Sequence, residues 1–133
     1  MTRVRPLLIA TAVLALAGAA TPASPRDDDL ARELAGRTAG KTQDCVDTSR
    51  VGGPQIIDDR TILYRESGRR VWRNDLPDSC PGLRPNDTMV IELYGSQYCR
   101  NDHFRSYSAG DSIPGAMCRL GTFTPYDKPA KVK

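Results

Sequence analysis

Residues 55–74 read QIIDDRTILYRESGRRVWRN, and the fold class turns on this stretch. TILYRE (Thr61–Glu66) and RRVWRN (Arg69–Asn74) carry the β-branched and aromatic residues favoured on a pleated surface, and they flank Ser67-Gly68. A serine-glycine pair between two such runs predicts a two-residue hairpin turn, because glycine reaches positive φ without steric cost. In that register Glu66 faces Arg69, Tyr64 faces Val71, Leu63 faces Trp72 and Ile62 faces Arg73, and such facing pairs stabilise a sheet.

Further strands follow outward from the hairpin. DTMVIELYG (Asp87–Gly95) places Met89, Ile91 and Leu93 on one face. DHFRSYSA (Asp102–Ala109) is a weaker strand, and RLGTFTPY (Arg119–Tyr126) a last one. Short β-rich runs separated by turn residues describe an all-β domain. No internal repeat stands out. Upstream, Asp27–Gly36 (DDDLARELAG) predicts a short helix with an aspartate cap and Gly36 at its end. It offers little apolar surface, so residues 20–44 are expected to form a mobile linker.

The N-terminus has the grammar of an export signal. Arg3 and Arg5 precede the apolar run Leu7–Ala20, and Ala17-Gly18-Ala19 supplies small residues for cleavage. The run is shorter than the roughly 20 apolar residues that span a bilayer core, and no cysteine follows it for a lipid anchor, so no stable membrane anchor is expected. The expected organisation is a signal peptide at 1–19, the linker at 20–44, a β domain at 45–126 and a flexible tail at 127–133. The expected location is periplasmic or secreted.

The chain has 19 basic and 16 acidic residues, and removing Arg3 and Arg5 leaves 17 against 16. Such a balance excludes the clustered basic excess of a nucleic-acid binder. Cys45, Cys80, Cys99 and Cys118 are separated by 34, 18 and 18 intervening residues. No pair has the close spacing of zinc sites, and there is one histidine, so neither a metal nor a cofactor is expected. In an oxidising compartment four cysteines mean two disulfides. Four cysteines allow three connectivities; bridges at the bases of two hairpins would pair Cys45–Cys80 and Cys99–Cys118. The expected architecture is a small disulfide-stapled antiparallel sheet or a partly closed barrel.

The series CVDTSRV, IDDRTILYR, VWRNDLPDSCPGL, YCRNDHF and GAMCRLGTFTP resembles a group of short exported proteobacterial proteins classed as a domain of unknown function. The most specific elements are RNDLPDSCPGL (Arg73–Leu83) and the C-x-L-G-x-F context of Cys118. The resemblance spans Cys45 to Pro125. It implies export and a shared disulfide-stapled domain, and carries no substrate and no catalytic residue.

Candidate sites follow from side-chain chemistry. Asp58 and Asp59 are adjacent, so on a strand their carboxyls diverge, and aspartate suits turns; a turn is expected rather than an acid/base pair. Arg60, Arg65, Arg69, Arg70 and Arg73 interleave with Tyr64 and Trp72, but alternation sends them to both faces and acids lie close by. His103 is the sole histidine and would anchor any hydrolase chemistry, with Glu92 or Asp102 as a carboxylate partner. Tyr64, Trp72, Arg73 and Tyr94 are the candidate binding surface, since aromatic residues and arginine are enriched at interfaces. The leading expectation is a non-enzymatic structural or binding module of the cell envelope, with an envelope or extracellular protein as partner. The alternatives are a small secreted hydrolase using His103, or an inhibitor of a lysozyme-type hydrolase, whose serine-glycine loop ESGRRVW (Glu66–Trp72) resembles.

Overall fold

A computed structural model describes residues 24–130. The expected signal peptide at 1–19 and the last three residues lie outside the described part. One helix and ten short strands follow one another in the order α1 (Pro25–Leu34), β1 (Thr38–Ala39), β2 (Cys45–Asp47), β3 (Pro54–Ile56), β4 (Thr61–Arg65), β5 (Arg70–Asp75), β6 (Thr88–Ile91), β7 (Gln97–Cys99), β8 (His103–Tyr107), β9 (Cys118–Arg119) and β10 (Thr122–Asp127). They form three antiparallel sheets, ordered β1-β10-β5-β4-β3, β6-β8-β9 and β2-β7. The all-β, disulfide-stapled class holds, and no closed barrel forms.

In β4 the run from Thr61 to Tyr64 is buried without alternation. Alternation nonetheless sorts the side chains. Ile62 and Tyr64 point into the main core with Trp72, Phe104, Leu120 and Phe123. Leu63 points to the opposite face and joins Ile57 and Val71, where Leu30 and Leu34 of α1 cover them. Leu30 and Leu34 stand four apart on one side of the helix, which suits them to this task. The segment preceding Cys45 therefore holds the expected short helix, but packs it on the five-stranded sheet and adds an edge strand to that sheet, whereas the sequence suggested a mobile linker. At the other end, β10 reaches Asp127, and the Lys128 N–H donates to the Arg69 carbonyl at 2.9 Å.

The hairpin is where expected, but its register is shifted by one. Tyr64 pairs with Trp72, Leu63 with Arg73, Ile62 with Asn74 and Arg65 with Val71. The loop is one residue longer than a two-residue turn, because the Ser67 hydroxyl accepts from the N–H groups of Arg69 and Arg70 at 3.2 and 3.1 Å and holds a wider bend. The physical demand behind the slip is facial: in the expected register Tyr64 and Trp72 could not both face the core.

Two other strands are shorter than expected. β6 ends at Ile91, so Leu93 is exposed, and the chain leaves the sheet through Gly95 at φ +109°. The last strand divides into β9 and β10 at Gly121. There is no room for a side chain at Gly121, since a Cβ would lie 1.7 Å from the Asp75 carbonyl oxygen. Buried Asn74 spans this break: its amide donates to the Gly121 carbonyl at 2.8 Å and accepts from the Gly121 N–H at 2.9 Å. β8 places Phe104 and Ser106 inward and His103 and Arg105 outward.

Candidate functional site

Both disulfides exist, with pairing Cys45–Cys99 and Cys80–Cys118. The expected pairing fails because Cys45 does not sit at the base of the β4–β5 hairpin. It lies on β2, directly opposite Cys99 on β7. Cys80, in the loop after β5, meets Cys118 at the start of β9. That second bridge shapes a concavity. It brings Asp78, Ser79 and Pro81 of one loop against His103 and Arg119 of the three-stranded sheet and Met117 just before β9, around a space of about 360 Å³.

The sheet register builds the row that borders this space. His103 pairs with Arg119 on one side, and on the other its carbonyl accepts from the Glu92 N–H at 2.8 Å. Outward alternation puts Glu92, His103 and Arg119 on the same face. Arg119 donates to the Asp78 carboxylate at 3.0 Å. His103 is exposed, and among the described residues its imidazole makes no hydrogen bond. Ser79 donates its hydroxyl to Asp59 rather than to His103. Asp102, the other suggested partner of His103, points inward and accepts from the Cys99 N–H at 2.7 Å. The Asp78 carboxylate is bound to a guanidinium and the Ser79 hydroxyl to the Asp59 carboxylate, and His103 contacts neither of them. The arrangement offers charge, an imidazole and a thioether wall to a docking group. Among the described residues no group of three or more His, Cys, Asp or Glu side chains could hold a metal ion.

The four residues expected to share a binding surface are not brought together. Tyr64 lies in the core, its ring tilted against Tyr98 at 5.2 Å and 5.7 Å from Phe123, and its hydroxyl has no partner among the described residues. Burial first, then Tyr98 and Asp102, push that hydroxyl far above its usual titration range. Trp72 is 6% exposed; its indole N–H donates to Glu66 at 2.7 Å and the Arg70 guanidinium lies over its ring at 5.4 Å. Arg73 is tied to Asp75 at 2.7 Å. Tyr94 alone is open to solvent, at 84% exposure. The Asp58–Asp59 pair is a turn, with Asp58 accepting from the Arg60 N–H at 2.7 Å.

Among the described residues the exposed large apolar ones are Val90, Leu93, Tyr94, Ile113 and Met117. All lie on the three-stranded sheet or its loops, and none on the five-stranded sheet. Sequence reasoning missed Asp78, Met117 and Arg119. Their signal was adjacency to Cys80 and Cys118, which a disulfide converts into spatial proximity, but it could be read only with the right connectivity in hand.

Two disulfides fit a protein of an oxidising compartment. No described helix is long and apolar enough to cross a membrane. No curated protein and no solved structure matches the chain. Residues 1–132 match the model described as a family of unknown function (DUF6491), and the chain belongs to that family.

Proposed function

We propose that the protein is an exported, non-enzymatic binding module of the cell envelope that docks a protein partner on the outer face of its three-stranded sheet. The observation that carries this reading is the segregation of exposed apolar side chains. Val90, Leu93, Tyr94, Ile113 and Met117 all belong to the three-stranded sheet or the loops that join its strands, and Met117 lines a concavity that also has His103, Arg119 and Asp78 on its walls. Apolar and aromatic groups rimmed by charges are the usual composition of a protein interface. The basic, apolar and small-residue order of residues 1–19 supports export.

The test is site-specific photocrosslinking in the envelope. A crosslinker at position 94 or 117 is expected to trap one protein, and the same group at Thr42 or Gln55 is expected to trap none. Equal trapping from all four positions would remove the basis for the reading.

A second reading keeps the small hydrolase using His103, because His103 does open into a concavity that also holds a carboxylate. Against it stand the commitments of Asp78 to Arg119 and of Ser79 to Asp59. The lysozyme-type inhibitor is a form of the binding reading that uses the Glu66–Arg70 loop instead. There Glu66 is already engaged by Trp72 and by Arg50. A lysozyme inhibition assay with the oxidised protein separates that form from docking on the three-stranded sheet.

A further inference from the structure

The two disulfides interleave along the chain: Cys80 lies inside the loop closed by Cys45–Cys99, and Cys99 lies inside the loop closed by Cys80–Cys118. We infer that this chain is a substrate for a thiol–disulfide isomerase, which must convert consecutive pairings into the interleaved one before the three sheets can close.

Loop-closure entropy favours the wrong partners in an unfolded chain. The native bonds close loops of 54 and 38 residues. The pairs Cys80–Cys99 and Cys99–Cys118 each close only about 19 residues, and Cys45–Cys80 about 35. With closure probability falling as the 3/2 power of loop length, roughly one first bond in five is native. Export adds a direction to this bias, since Cys45 and Cys80 would reach an oxidising compartment before their true partners do; that part rests on the reading of residues 1–19.

The structure explains why a wrong bond is not tolerated. Cys45 and Cys99 are direct partners in the β2–β7 ladder, so a Cys45–Cys80 bond keeps those strands apart. The same bond withholds Cys80 from Cys118, and hence the loop bearing Asp78 from β9. In the finished fold Cys80 is buried, and its N–H donates to the Asp59 carbonyl at 2.8 Å. Exchange must therefore precede closure around that sulfur.

The exchange is redox-neutral. An isomerase thiolate attacks the Cys45–Cys80 bond, leaving an enzyme–Cys80 mixed disulfide and a free Cys45 thiolate. Cys45 attacks the Cys99 sulfur of Cys99–Cys118, forming Cys45–Cys99 and releasing Cys118 as thiolate. Cys118 attacks Cys80 in the mixed disulfide, forming Cys80–Cys118 and regenerating the enzyme thiolate.

The test starts from the reduced full chain, oxidised rapidly in native buffer with or without reduced protein disulfide isomerase and read by non-reducing peptide mapping. The expected result is a mixture dominated by non-native pairs without the enzyme. Catalytic enzyme is expected to convert it to Cys45–Cys99 and Cys80–Cys118 about tenfold faster than spontaneous exchange, and alkylated enzyme is expected to have no effect. The Cys80→Ala/Cys118→Ala variant has one possible bond, so its loss of free thiol is expected to be independent of the enzyme whether or not it folds. Quantitative native pairing without isomerase would overturn the inference, as would isomerase dependence in that two-cysteine variant. Neither result bears on the docking face, whose crosslinks are read separately.

Discussion

Replacing Asn74 with alanine tests how the break between β9 and β10 is held. The side chain is fully buried, and its amide makes two hydrogen bonds to one residue, Gly121, at 2.8 and 2.9 Å. Truncation removes both and strands a backbone N–H and a backbone C=O. Each lost bond is worth about 1 kcal/mol net, and each unsatisfied buried group costs about 1–3 kcal/mol. Relaxation offers little relief. Gly121 is pressed against the Asp75 carbonyl, so the segment cannot shift toward β5 to find new partners. The expected loss is about 2–5 kcal/mol, a large share of the roughly 5–15 kcal/mol that a domain holds. Urea unfolding of the oxidised protein, followed by the fluorescence of its single tryptophan, measures this through the midpoint at constant m. A loss below about 1 kcal/mol with m unchanged would show that Asn74 does not carry the break, and the reasoning would fall.

Tyr64→Phe is expected to be neutral or to stabilise by up to about 1–2 kcal/mol in the same assay, because the hydroxyl is buried without a partner; a clear destabilisation would reveal a bond to that oxygen. His103→Ala is expected to change stability by no more than about 0.5 kcal/mol, since the imidazole is exposed and unbonded; a larger loss would give His103 a structural role that its surroundings do not suggest. The Asp127 carboxylate is held below its usual range first by its hydrogen bonds from Arg70, then, once the opposing effect of burial is set aside, by the charges of Arg70, Arg69 and Arg37. A depressed folded pKa contributes stability that is present above the unfolded value near 4 and is lost as pH falls through the folded one. The Asp127→Asn variant is therefore expected to lag wild type at pH 6–7 and to converge with it toward pH 2–3, measured by urea midpoints across that window; a constant gap would show that the ion pair does not contribute.

Period-two patterning made the hairpin legible, because β4 and β5 meet across a short turn and need no distant information, but not the order of strands in the sheets. The register slipped by one because it depends on the Ser67 hydroxyl bonding two N–H groups, a local choice that composition does not announce. The helix itself was legible in Asp27–Gly36, but its docking was not, and the uninterrupted burial from Thr61 to Tyr64 gives the reason for it. A strand apolar on both faces needs a cover on each, and Leu30 with Leu34 supplies the second. The disulfides were legible as chemistry but not as connectivity, since β2 pairs with β7 across more than fifty residues and no local signal sets that choice. The candidate site inherited this blindness, because Asp78 and Arg119 meet only through the second bridge. Tyr64 and Trp72 were assigned to a surface on residue type alone, and the core claimed them because a small domain has few other large side chains to fill it.

The pairing of β1 with β10 also dictates how the molecule yields to tension. Thr38 lies opposite Asp127, so the entering and leaving segments are neighbours at one end of one ladder. A pull applied to the two ends opens that ladder like a zip, one rung at a time, rather than shearing all its bonds together. Unravelling then stops at Cys45 from one side and Cys118 from the other. With both bridges intact, the shortest covalent path between those two points runs through only about 19 residues, or roughly 65 Å at full stretch. The reduced chain would pay out about 73 residues, or roughly 250 Å. The protein is thus soft at its margins and far less extensible at its centre than the reduced chain would be, and every residue lining the His103 concavity except Arg119 lies between the two points where unravelling stops.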